Sequence, residues 1–110
     1  RIIIVSGDRH IGGFYRHNVY DLGEVTASSW THSVPLGAYS SCSTSEECDE
    51  EDDLRLQEFI RVNNFGTLDI DWEKKEVKLA LRRAQTEDGH WSRNAGNAGE
   101  ILQSLTYSIP

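Results

Sequence analysis

Ile2-Ile3-Ile4-Val5-Ser6-Gly7-Asp8-Arg9-His10 is the stretch on which the reading of this chain turns. Four branched apolar residues in a row suit a pleated, enclosed surface, so residues 2–5 are expected to form a buried strand. The run stops at Ser6-Gly7, and Gly7, lacking a Cβ, permits a sharp turn or a close backbone approach. Asp8 and His10 follow, two residues apart. In an extended segment positions i and i+2 point to the same side. The carboxylate and the imidazole are therefore expected to converge just past the strand end, with Arg9 pointing away. An oxygen donor and a nitrogen donor leaving a strand together are a candidate pair of metal ligands, at the place where open sheets commonly carry their chemistry. The plainer reading of the same residues is a turn-capping Asp8 and a hydrogen-bonded surface His10.

Working outward, Ile11 to Arg16 reads as a second extended segment, whose Gly12 and Gly13 suggest a bend or a close backbone contact. His17-Asn18 is a turn candidate. Most of Val19 to Ser29 alternates well enough to be a strand. Residues 28–33 then form a polar patch around Trp30. His32 in that patch reads as a hydrogen-bonded loop histidine, with reach to the metal site or a substrate as the sharper alternative. Residues 34–53 have loop composition and bury little. Leu54 to Ile60 fits both alternation and a helical face, leaving a short helix or an irregular edge open.

The clearest local pattern lies downstream. Leu68, Ile70 and Trp72 alternate along Phe65 to Trp72, Glu73-Lys74-Lys75 is a polar turn, and Val77, Leu79 and Leu81 alternate along Glu76 to Arg82. This is a β-hairpin. Asp88-Gly89 marks a turn, residues 94–99 a flexible connection, and Ile101 to Ile109 a last strand that Pro110 ends. Asp69 and Asp71 are paired acids on the hairpin. A solvated face explains them better than acid–base catalysis, since nothing around them raises a carboxyl pKa.

Composition sets outer bounds. A chain of 110 residues is one domain or part of one. No segment approaches the roughly 20 apolar residues that span a bilayer, and no signal-peptide pattern is present. The chain opens inside an expected strand with no capping residues before it, as a segment of a longer protein would. The net charge of −7 is concentrated in residues 46–53, which hold seven acids. The remainder is near neutral, so no overall field favours nucleic acid or an anionic membrane. The acidic run lacks the glycine and the spacing of an EF-hand loop and reads as a solvated loop. Cys42 and Cys48 suit either a small disulfide loop or two free thiols, and no second Cys or His pair stands near them at zinc-site spacing.

Three blocks in order carry a resemblance. Ser6-Gly7-Asp8-Arg9-His10, then Glu24-Val25-Thr26-Ala27-Ser28-Ser29 with Thr31-His32-Ser33, then Asn64-Phe65-Gly66 running into Leu68-Asp69-Ile70-Asp71-Trp72-Glu73, resemble the C-terminal part of alkaline phosphatase D (PhoD-like) proteins. Those belong to the calcineurin-like metallophosphoesterases. The likeness spans roughly residues 2–83, and the acidic insertion near 40–54 and the tail after Gln85 are individual to this chain. The resemblance implies an α+β fold, mostly β in this chain. Residues 1–110 would be the C-terminal fragment of a two-sheet β-sandwich flanked by helices. It implies a dinuclear site, with Asp8 on the harder ion, calcium in some members, and His10 on the iron-type ion, or other divalent cations in their place. That assignment agrees with ligand chemistry. It further implies hydrolysis of a phosphate mono- or diester by metal-activated water. The family's other metal ligands have no counterpart here, so the remainder of the parent chain is the expected partner and the fragment alone is expected to be inactive. Many family members are exported. The alternative is a non-catalytic β-rich interaction or structural module, in which Asp8 and His10 make ordinary hydrogen bonds.

Overall fold

The computed structural model describes residues 2–27, 29–31, 33, 34, 53–84 and 96–110. They contain six strands: β1 (Ile2–Ser6), β2 (Gly12–His17), β3 (Leu22–Ala27), β4 (Asn64–Asp71), β5 (Glu76–Arg83) and β6 (Ile101–Ser108). These form two three-stranded sheets, ordered β1-β3-β2 and β4-β5-β6. The fold is thus mostly β. No helix occurs among the described residues, and none there is long and apolar enough to cross a membrane. The expectations placed on His32, Cys42, Cys48, Asp88-Gly89 and residues 46–52 lie outside the described residues.

In the first sheet β1 runs parallel to β3, with Val5 opposite Val25, while β2 runs antiparallel to β3, with Phe14 opposite Val25. The opening residues are a strand as expected, but not a buried one. Ile2 is 62% and Val5 67% exposed. Among the described residues β1 pairs with β3 alone, at the end of its sheet, and only Ile3 packs against the core. A run of branched residues reports a preference for extended backbone; it does not report whether a second layer covers it. The glycines of β2 pair regularly, Gly12 with Ala27 and Gly13 with Thr26, so the expected bend is absent. The expected close approach is present: a Cβ on Gly13 would stand 3.0 Å from the Phe59 ring, and one on Gly12 2.8 Å from Asn64 Oδ1.

The hairpin forms as its alternation predicts, with Leu68 opposite Leu79 and Ile70 opposite Val77. Asp71 closes it. Its Oδ1 accepts the backbone N–H groups of Glu73 at 3.1 Å and Lys74 at 2.9 Å, and its Oδ2 pairs with Lys74 Nζ at 3.0 Å. The Lys74 backbone hydrogen bond, then the Lys74 side chain, hold this carboxyl below its ordinary value. Asp71 is therefore a turn cap, in keeping with the solvated-face reading. β6 adds antiparallel to β5, setting Leu105 opposite Leu79 and Tyr107 opposite Val77, with a bulge at Leu81/Arg82.

The two sheets share one core: Phe14 of β2 and Val25 of β3 meet Leu79 and Leu81 of β5 and Tyr107 of β6. Burying a leucine of this kind stabilises by about 1.5–3 kcal/mol. The opposite parity of β2 serves a second cluster, in which Ile11 and Tyr15 join Val34 and Phe59. Residues 54–60 resolve as an irregular edge rather than a helix. They run antiparallel along β2 through bridges at Tyr15↔Arg55 and Gly12↔Ile60, with Leu56 N donating to Phe14 O at 2.9 Å. Their ambiguous pattern follows from this, because an edge broken by bends keeps only fragments of a two-residue period.

Candidate metal cleft at the ends of β1 and β3

Since β1 and β3 are parallel, their carboxyl ends lie side by side, and the loops leaving them start from the same edge. Four hydrogen bonds stitch these loops together and to the segment entering β4. Val34 N donates to His10 O at 2.8 Å, and Asn64 N to Ser29 O at 2.9 Å. Asn63 Nδ2 donates to Thr31 O at 3.0 Å, and Ser33 Oγ to Arg61 O at 2.8 Å. Asn63, Asn64, Ser29 and Ser33 are each 1% exposed. The Asn63 and Ser33 side chains fix the loop backbone through their bonds to Thr31 O and Arg61 O, because breaking either pair strands a buried polar partner.

Within this frame Asp8 and His10 line one open cleft of about 400 Å³, with Trp30, Thr31, Asn64 and Phe65 among its other walls. They share this cleft, but their backbone is not the expected one. Residues 7–10 are not extended: Asp8 has φ +68° and His10 φ +56°. Two left-handed residues two apart depart from the extended geometry on which the shared heading was expected, yet both residues line the cleft. The left-handed region costs a non-glycine residue about 1–2 kcal/mol, with Asp among the residues that tolerate it best. Such conformations gather at functional sites. Asp8 is exposed and His10 half-buried. Arg9 does not line the cleft; its guanidinium carbon lies 6.0 Å from the Phe59 ring centroid, in company with Arg55 at 4.5 Å and Arg61 at 5.7 Å. That agrees with the expectation that it points away.

The donor set suits metal chemistry in kind, since a carboxylate serves a hard cation and an imidazole a borderline one. It falls short in number. Among the described residues no group of three or more His, Cys, Asp and Glu side chains stands close enough to hold an ion. One donor per ion gives little affinity, so a centre here would need further ligands from outside the described residues. Asp69 lies on β4, away from the cleft walls.

Sequence reasoning singles out Asp8 and His10 but not Trp30, which it reads only as an indole in a polar patch. Trp30 is 63% exposed and leans on Phe65, with ring centroids 5.0 Å apart at 53°. The available signal was an aromatic residue set among Ser and Thr directly after a strand. Comparisons with models of known families, with curated proteins and with solved structures gave no match.

Proposed function

We propose that this chain contributes Asp8 and His10 to the two-metal site of a phosphoesterase resembling the PhoD-like metallophosphoesterases, which hydrolyses phosphate mono- or diesters. One observation carries the reading. Residues from each of the three separate blocks that bear the resemblance line a single cleft: Gly7, Asp8 and His10 from the first, Ala27 and Thr31 from the second, and Asn64, Phe65 and Gly66 from the third. Motifs far apart in sequence that fold into the walls of one cavity form a site more readily than they arise by chance. The strained backbone of Asp8 and His10 supports the same reading.

In this role Asp8 would hold a hard cation such as calcium and His10 an iron-type ion or another divalent cation, the remaining ligands coming from elsewhere in the protein. Bound there, such ions supply polarisation of the phosphoryl group and a nucleophile at neutral pH. The contribution of this chain is placement. The hydrogen bond from Val34 N to His10 O and the paired Ser29–Asn64 backbone fix the loops that present the two ligands.

The test is metal analysis and a phosphoesterase assay on the complete protein containing residues 1–110, with Asp8→Asn and His10→Ala. Each variant is expected to lose metal and to lower hydrolysis by a hundredfold or more. Full metal content and full activity in both would reject the proposal and leave the non-catalytic module.

A further inference from the structure

We infer that the cleft takes phosphate esters whose organic part carries a flat aromatic ring, an aryl group or a nucleobase, stacked on the indole of Trp30. The inference rests on the phosphoesterase reading above and adds the substrate class to it. Three observations point the same way.

First, Trp30 is presented rather than stored. Its ring is 63% exposed, yet its backbone is held on both sides, at Ser29 O by Asn64 N and at Thr31 O by Asn63 Nδ2. A loop pinned through two buried asparagines does not place its largest apolar side chain in solvent for the sake of the core. Second, Phe65 braces the indole at 5.0 Å in a tilted arrangement, a geometry that aromatic pairs favour. A braced ring loses little conformational freedom on binding, which is what makes an aromatic platform effective. Third, Trp30 shares its cleft with both candidate ligands, and the cleft volume of about 400 Å³ falls in the range of small-molecule sites. Among the described residues no Lys or Arg side chain lines that cleft. The ester's charge is thus left to the metal end, and the indole is the feature that can select the organic end. The other strongly exposed indole among the described residues, Trp72 at the hairpin turn, is not a wall of this cleft.

Stacking on an aromatic side chain is sequence-tolerant because every base or aryl ring offers a π-face, and it is worth about fivefold or more in affinity. The test compares matched esters on the complete protein: p-nitrophenyl phosphate against propyl phosphate, and adenosine 5′-monophosphate against ribose 5-phosphate. The ring-bearing ester of at least one pair is expected to have the lower KM, by about fivefold or more. A preference in one pair alone assigns the ring as aryl or nucleobase. Trp30→Ala is expected to abolish the preference by raising KM for the ring esters at least about fivefold more than for their ringless partners, and Trp30→Phe to retain most of it. Equilibrium binding of adenosine 5′-monophosphate and p-nitrophenyl phosphate to the metal-stripped protein, which does not turn them over, followed by calorimetry, should weaken in step with the KM changes. No ring preference in the wild type, or a preference that survives Trp30→Ala, overturns the inference while Asp8→Asn still abolishes turnover. Turnover that survives Asp8→Asn instead overturns the site reading, and this inference with it.

Discussion

Replacing Asp8 with glycine should make the protein more stable. Asp8 holds φ +68°, where an L residue costs about 1–2 kcal/mol, with Asp towards the lower end. Glycine carries no such cost, but it gives the unfolded chain more freedom, which offsets about 0.5–1 kcal/mol. Asp8 is exposed, so little packing is lost with its side chain. The net expectation for Asp8→Gly is a gain of about 0.5 kcal/mol, within a range of roughly 0–1. A domain of this size answers 1 kcal/mol with about 4–8 °C in Tm, so Tm should rise by about 2–4 °C. The urea midpoint should move in the same sense with an unchanged slope, because the surface exposed on unfolding is the same. Two companions make the argument decisive. Asp8→Asn, which also tolerates the left-handed region, should leave stability within about 0.5 kcal/mol. Asp8→Ala should fall below the wild type, having neither the freedom of glycine nor a polar side chain that bonds locally. The expected order is therefore Gly above Asp and Asn, with Ala lowest. An alanine variant as stable as the glycine variant would refute the claim that the backbone is strained here. On the proposed two-metal reading, the stabilised glycine variant of the complete protein would at the same time lose metal, the usual opposition between a strained site and a relaxed scaffold.

Further outcomes follow from the packing. Gly12→Ala should destabilise by about 1–3 kcal/mol in chemical unfolding, because the new Cβ would meet Asn64 Oδ1 at 2.8 Å and Cγ at 3.1 Å and displace a buried side chain that bonds Val62 O. Leu81→Ala, at a fully buried core position, should cost about 2–5 kcal/mol and be seen as a large fall in Tm. Asp71 has a folded pKa below its ordinary value of 3.8, so its charge contributes stability above that value and loses it as pH falls through the folded pKa. The Tm difference between wild type and Asp71→Asn should accordingly be constant near neutrality and vanish at strongly acidic pH.

Sequence reading succeeded where a two-residue period had one answer. Val77, Leu79 and Leu81 against Leu68 and Ile70 define the hairpin and its shared face, and Leu105 and Tyr107 continue that face into β6. It failed where the answer depended on a second layer. Ile2 and Val5 read as enclosed because they are branched, yet burial is set by what packs on them, which composition does not carry. Residues 54–60 stayed ambiguous because they are held by hydrogen bonds to β2, some 40 positions away in the chain. At the cleft, the pairing of Asp8 with His10 was legible but its cause was not. Alternation of an extended strand led to two residues that do line one cleft, while the backbone there is left-handed at both rather than extended. Left-handed conformations at Asp and His leave no mark in a sequence comparable to a glycine. Trp30 was hidden for a related reason: its partner Phe65 is 35 positions away, brought beside it by the pairing of Ser29 with Asn64 and the bonds around it.

The cleft takes one wall from the first sheet and the loops leaving it, at Gly7, Asp8, His10, Ala27, Trp30 and Thr31, and the other from the second sheet, at Asn64, Phe65 and Gly66. Whatever occupies it works as a clasp across the seam, so its binding free energy is added to the cohesion of the whole domain as RT ln(1 + [L]/Kd). Amide hydrogens at the start of β4 would then exchange more slowly in the presence of a ligand held by Asp8 and His10 on the other sheet, and saturating ligand would raise the melting temperature of both layers together.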